Sequence, residues 1–236
     1  MATSKRANPG GSGSQPLKDS DVRLDCLEDA QLAAKRLLDV VVSCIAIAVL
    51  APVMAGLWVL IRIDSPGPAL FRQKRVGKDG RLFVLYKFRT MTHGADEAIH
   101  RSAIRRFLRN ERLSSDPGAP FKLNDDPRLT RMGPWIRRTS LDETPQFFNV
   151  LFGDMSLVGP RPAIPYELEH FEAWHHARHA VKPGITGIWQ VYGRGRVSCD
   201  EMMRMDVEYA RTWTILSDLK LIALTAPAVL RGNGAH

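Results

Sequence analysis

Residues 40 to 61, Val40 through Ile61, form 22 consecutive positions without a formal charge, flanked by Lys35-Arg36-Asp39 and by Arg62-Asp64. As a straight helix the run is about 33 Å long, enough to reach through the hydrocarbon core of a bilayer. A helix packed in a soluble core keeps a polar stripe toward water, whereas this run is apolar on every face. Pro52 lies near its middle and can break the helix there. Basic residues stand on both sides: Lys35 and Arg36 before, then Arg62, Arg72, Lys74 and Arg75 after. Because basic flanks stay cytoplasmic, both ends belong on one side, which predicts a hairpin that dips in and returns. Residues 31–63 are therefore expected to be a re-entrant membrane helix, with Arg36 at its base and Pro52 at its turn.

The segment before it, residues 1–30, reads as a polar tail. Pro9-Gly10-Gly11-Ser12-Gly13-Ser14 cannot bury enough apolar surface to order itself, and no apolar run follows closely enough for a secretory signal. Ser20 to Arg36 reads as a polar helix leading inward. Residues 64–236 have room for one sizeable domain. The balance of 33 basic against 25 acidic residues gives +8, which suits an anionic partner such as nucleic acid, anionic lipid or a phosphorylated substrate. Cys26, Cys44 and Cys199 are widely spaced with no Cys-x-x-Cys, which argues against a disulfide framework or zinc cluster and fits a reducing compartment.

After the rigid turn Asp64-Ser65-Pro66-Gly67-Pro68, residues 69–76 and 81–89 read as two strands around Gly77-Lys78-Asp79-Gly80. Lys87 and Arg89 close the second strand and are candidate phosphate contacts. Residues 95–111 predict a basic amphipathic helix suited to the membrane interface. Asn124-Asp125-Asp126-Pro127 combines a metal-binding acidic pair with common turn chemistry, and an exposed turn is the better reading. His170, His175, His176 and His179 lack the zincin order and a third ligand, so they read as surface histidines. Residues 183–194 are glycine-rich, with Gln190 and Arg194 able to reach a nucleotide, but contain no G-x-G-x-x-G. Residues 201–213 predict a mixed-charge helix. Residues 214–230 predict one too short in its apolar stretch to span a bilayer.

The densest chemistry lies at Arg137-Arg138-Thr139-Ser140-Leu141-Asp142-Glu143-Thr144-Pro145-Gln146. Thr144 can cap a helix that begins at Pro145, or Ser140 and Glu143 can form a capping box that starts it at Leu141. Either way, Asp142 and Glu143 sit at a helix N-terminus, which favours their ionised forms and keeps one free as nucleophile or metal ligand. The strand Met155–Val158 then leads to Gly159-Pro160-Arg161-Pro162, where two prolines hold an arginine whose bidentate fork suits phosphate.

Thr139 to Gln146, Asn149-Val150-Leu151 and Gly153 to Pro162 together resemble the signature of the bacterial sugar transferases, monotopic phosphoglycosyl transferases acting on polyprenyl phosphate. The likeness extends over most of residues 35–224. It implies an α+β, mostly helical monotopic protein with a re-entrant membrane hairpin, a small β-hairpin and interfacial amphipathic helices, at the cytoplasmic face of the bacterial inner membrane. It further implies that sugar-1-phosphate passes from a UDP-sugar to undecaprenyl phosphate with release of UMP. This would be the first membrane step of exopolysaccharide, O-antigen or glycoconjugate synthesis. Asp142 is expected to carry the phosphosugar covalently and Glu143 to help hold Mg²⁺. Arg137 and Arg161 are expected to clamp phosphate, with Lys87, Arg89, Gln190 and Arg194 around the substrate. Membrane lipids are expected partners, nucleic acid is not, and a homo-oligomer is left open. The family's proline break usually follows serine, whereas Ala51 precedes Pro52 here. Two other classes stay open: a metal-dependent glycosyltransferase centred on Asp125-Asp126, and a non-enzymatic scaffold for anionic lipid.

Overall fold

The computed structural model describes residues 19–94, 102, 126, 128–193 and 197–230, with side chains between 29 and 225. The expected tail lies mostly outside these residues, as do the basic helix of 95–111 and Asp125.

The apolar run lies inside α1, Asp19–Asp64, a single helix of 46 residues with Pro52 in its interior. The helix assignment passes through Pro52 instead of ending there. Positions 39, 43, 46, 47, 50, 54, 57 and 61 are buried or half-buried, a stripe spaced by three or four residues. Full burial is confined to the stripe's two ends, at Asp39 and Ser43 and at Leu57 and Ile61.

Strands β1, Leu70–Val76, and β2, Leu82–Phe88, form an antiparallel hairpin in which Phe71 faces Lys87, Gln73 faces Leu85 and Arg75 faces Phe83. Asp79 in the connecting turn takes a left-handed φ of 56°, which a short polar side chain tolerates. Beyond it come α2, Gly133–Arg138, a 3₁₀ turn over Leu141–Glu143, and α3, Gln146–Phe152. Gly153, with φ 89°, ends α3 in the left-handed cap that glycine adopts without a Cβ penalty. Strand β3, Ser156–Val158, pairs in parallel with β4, Gly184–Thr186, across two 3₁₀ segments at Pro165–His170 and Ala173–Ala180. The chain closes with α4, Ile188–Tyr192, α5, Cys199–Thr212, and α6, Ile215–Leu230. The start of α5 is capped by Ser198, whose hydroxyl accepts from the Glu201 N–H while the Glu201 carboxylate accepts from the Ser198 N–H.

The main core gathers Leu85, Val150, Met155, Leu157, Val158, Tyr209 and Leu221. A second cluster joins Leu57 and Ile61 of α1 to Ala69, Phe88 and Ile136. Both ends of the apolar run therefore dock on the same body. At the near end, Asp39 accepts from the Leu157 N–H at 2.9 Å and the Ser156 hydroxyl at 3.0 Å. Arg36 donates to the carbonyls of Val150 and Leu151 at 2.6 and 2.7 Å, satisfying the C-terminal end of α3. Lys35 reaches the Val158 carbonyl, Tyr209 and Asp218.

Candidate active site

The hairpin, the 3₁₀ turn and α3 bring the charged groups together. Lys87, at the end of β2, donates to Glu143 at 2.7 Å and lies 4.0 Å from the Asp142 carboxylate. Arg137 comes from the last turn of α2, where its Nε donates to the Thr90 hydroxyl at 2.9 Å. Neither predicted cap forms. Ser140 makes no side-chain cap and adopts φ 56°, while the Thr144 hydroxyl donates back to the Leu141 carbonyl at 2.8 Å. The carboxylates therefore sit in a separate 3₁₀ turn ahead of α3, one step before its dipole. Ser140 and Asp79 are the two non-glycine residues with positive φ among the described residues, and only Ser140 adjoins this charge cluster. Backbone strain of that kind costs on the order of 1–3 kcal/mol and persists where the surroundings impose it, commonly at functional sites.

The electrostatics correct a second expectation. Asp142 is 9% exposed. Burial pushes its carboxyl up to about 6; Lys87 opposes that rise, the Glu143 charge adds to it, and Arg137 opposes it. A carboxylate in this setting is still ionised at neutral pH but is poorly solvated, a good state for a nucleophile. Burial also lowers Arg137, and the nearby Asp142 charge counteracts it.

Arg161 stands one step further along the same hairpin face. Directly opposed residues of a hairpin share a face, so Lys87, Gln73 and Arg75 line one side. Arg75 donates to the Pro162 carbonyl at 2.8 Å and to Gln73 at 2.6 Å, and is close enough to Glu143 to be stabilised by it. Burial and the neighbouring Arg161 press Arg75 down to about 9. The Arg161 guanidinium, partly exposed, pairs with Glu167 at 3.4 Å. Burial pushes the Glu167 carboxyl upward, but Arg161, Arg75, the Ile164 N–H and Arg178 outweigh it and hold the group below its usual range. Arg178 donates to the Arg161 carbonyl at 2.7 Å and to Asp206.

Other predicted positions do different work. Arg89, expected beside Lys87 at the substrate, instead donates to the carbonyls of Ser65, Pro66 and Ile61, because the end of α1 offers it unsatisfied acceptors. Arg36 is likewise spent on carbonyls, at the base of the apolar run. Gln190 is half-buried on α4, which packs against α5 and α6, and Arg194 lies outside the described residues. Asp126, half of the rival acidic pair, is clasped by Arg128 through Nε at 2.8 Å and Nη2 at 2.6 Å, which lowers its carboxyl below the usual range. The histidines are not all at the surface: His175 is buried against Phe171 and Trp174, and burial lowers His179 to about 4. Among the described residues no three His, Cys, Asp or Glu side chains converge as a metal site. The Asp142–Glu143 pair nonetheless suits Mg²⁺, which takes one or two protein carboxylates and completes its shell with water and substrate phosphates. Thr90 and Arg75 support this region through Arg137 and the Pro162 carbonyl, 47 and 87 residues away, which no local pattern in the chain reveals.

Comparison with known proteins identifies the family. The profile of the bacterial sugar transferase family matches residues 30–232. The galactosyl transferase CpsE of Streptococcus agalactiae is 45% identical over 207 residues, covering 87% of this chain and 44% of that protein. The undecaprenyl-phosphate galactose phosphotransferase of Salmonella typhimurium is 42% identical over 208 residues, covering 86% of this chain and 41% of that one. The UDP-glucose:undecaprenyl-phosphate glucose-1-phosphate transferase of Xanthomonas campestris is 40% identical, with 87% and 40% covered. The chain thus spans about two-fifths of the length of these curated relatives. With the family profile matched across most of its length, the chain belongs to the bacterial sugar transferases.

Proposed function

We propose that this chain transfers a sugar-1-phosphate from a UDP-sugar to undecaprenyl phosphate and releases UMP. The observation that carries the reading is Asp142: a buried carboxylate with the Lys87 ammonium 4.0 Å away and Glu143 and Arg137 around it. The names of the Salmonella and Xanthomonas relatives support the lipid acceptor and, for the latter, the UDP-sugar donor.

Both substrates are anionic, one soluble and one held in lipid, so direct attack of phosphate on phosphate meets repulsion. A carboxylate nucleophile divides the transfer into two displacements. An Asp142 oxygen attacks the sugar-bearing β-phosphorus, and the bond from that phosphorus to the bridging oxygen breaks. UMP leaves with the electron pair, and the phosphosugar remains on Asp142 as an acyl phosphate. A phosphate oxygen of the lipid then attacks the same phosphorus and returns the free carboxylate. Lys87, Arg137 and Arg161 offset the negative charge of the diphosphate. Mg²⁺ held at Glu143 supplies further charge neutralisation of the phosphates when bound.

We further propose that α1 bends at Pro52 and returns to the membrane surface it left. Support comes from the docking of both ends of the apolar run on one body and from basic residues at both flanks. That places the protein at the cytoplasmic face of the inner membrane, with Asp142 near the headgroup level, where the lipid phosphate lies. The test is an assay of UDP-glucose and UDP-galactose with undecaprenyl phosphate in detergent. UMP is the expected nucleotide product, and release of UDP would contradict the proposed chemistry.

A further inference from the structure

Asn149 is fully buried in the middle of α3, and its side chain is spent on a strand. Its Nδ2 donates to the Val84 carbonyl at 2.7 Å and its Oδ1 accepts from the Tyr86 N–H at 3.0 Å. The amide orientation is fixed, since a carbonyl demands the donor and an N–H the acceptor. Among the described residues the sheet has two strands, with β1 on one side of β2, so the other edge of β2 meets no described strand. Asn149 pairs with that edge as a neighbouring strand residue would, joining helix to strand through two bonds.

The two elements so joined carry the two halves of the charge cluster. Lys87 follows Tyr86 directly on β2. The 3₁₀ turn bearing Asp142 and Glu143 leads into α3 through Thr144 and Pro145. The Asn149 carbonyl also accepts from the N–H groups of Gly153, Asp154 and Met155, fixing the exit of α3 toward β3 and the Arg161 loop. A leucine here would fill space but leave the Val84 carbonyl and Tyr86 N–H unpaired. Apolar packing also tolerates a slide of helix along strand that paired polar groups resist.

We propose that Asn149 is a positioning residue for the transfer, its amide setting how far the Lys87 ammonium lies from the Asp142 and Glu143 carboxylates. The inference rests on the dyad being the reacting site. Asn149 touches no substrate; it acts through Lys87. Removing it lets the ammonium drift from the two carboxylates it is held against, so Asn149 and Lys87 variants share one defect.

The test is a double-mutant cycle on the full chain in detergent, with UDP-glucose or UDP-galactose, whichever is turned over, and undecaprenyl phosphate. Asn149→Ala is expected to lower kcat about ten- to a hundredfold, as small misplacements in active sites do. KM for the nucleotide sugar is expected to stay within about threefold. In the Lys87→Met background, Asn149→Ala is expected to cost less than about threefold more. Multiplying effects, or a KM that rises as far as kcat falls, overturn the proposal. Asn149→Gln, which keeps the amide but lengthens its reach, is expected to give the same signature, with thermal melting confirming that the variant folds. If neither variant folds, Asn149 is structural and the proposal falls. Asp142→Asn in the same assay separates the failures: turnover surviving there sinks the dyad reading itself, whereas a dead Asp142→Asn with a multiplicative cycle sinks only the positioning role.

Discussion

Two aspartates in this protein are pushed to about 6 by burial, and they are used in opposite ways. Asp206 pairs with Arg178 in a direct hydrogen-bonded contact, both side chains 1% exposed, and Arg178 goes on to hold the Arg161 carbonyl. Asp142 has its nearest cation 4.0 Å away, and that cation is hydrogen-bonded to Glu143 instead. The same desolvation therefore yields a clamp where the partner is in contact and, in the proposed mechanism, a poised nucleophile where it is held back. Buried charge alone marks neither; what matters is how the carboxylate oxygens are engaged.

Replacing each aspartate by asparagine should separate the two roles most sharply. Asp142→Asn is expected to lower turnover by about a thousandfold or more, since the covalent step loses its nucleophile. Its stability should hold or rise. A carboxyl raised from 3.8 to about 6 on folding stabilises the fold below the lower value and loses that contribution as pH climbs through the upper one, so a neutral amide avoids the loss at pH 7. Asp206 carries the same upward push, but there the direct contact with Arg178 decides. Asp206→Asn leaves that charge buried without its counter-ion, which outweighs relief of the carboxylate's own desolvation, and is expected to lower stability by about 3–5 kcal/mol. Denaturant melts in detergent and UMP release would read both.

A smaller effect sharpens the electrostatic side. Activity should fall as pH drops through about 6, where Asp142 takes up its proton. Lys87→Met removes the positive charge that favours the ionised form, so the acid limb should move to higher pH. An unmoved limb in pH–rate profiles would mean that Lys87 does not govern Asp142.

The two aspartates also show what could be read from sequence. Asp142 announces itself through neighbours in the chain: the arginine five residues before, the adjacent Glu143 and the arginine between prolines. The β-hairpin was legible for the same reason, its alternation and turn residues being local, and it falls within a residue or two of the expected bounds. The Asp206–Arg178 and Asp218–Lys35 pairs bridge 28 and 183 residues, so no pattern in the chain could pair them. Asp218 is buried where α6 meets Lys35 of α1. The caps proposed at Ser140 and Thr144 failed because Ser140 takes a left-handed backbone, a tertiary imposition that spacing cannot reveal. Ser198 and Glu201, by contrast, form a capping box that their spacing alone could have identified.

Everything chemical here depends on Asp142 carrying the phosphosugar between donor and lipid. Intact-protein mass spectra after incubation with a UDP-sugar alone test that most directly. The expected result is a mass gain of one sugar phosphate, mapped to the peptide containing Asp142, lost on addition of undecaprenyl phosphate and absent in Asp142→Asn. An unmodified protein that releases UMP only when both substrates are bound together would contradict the account.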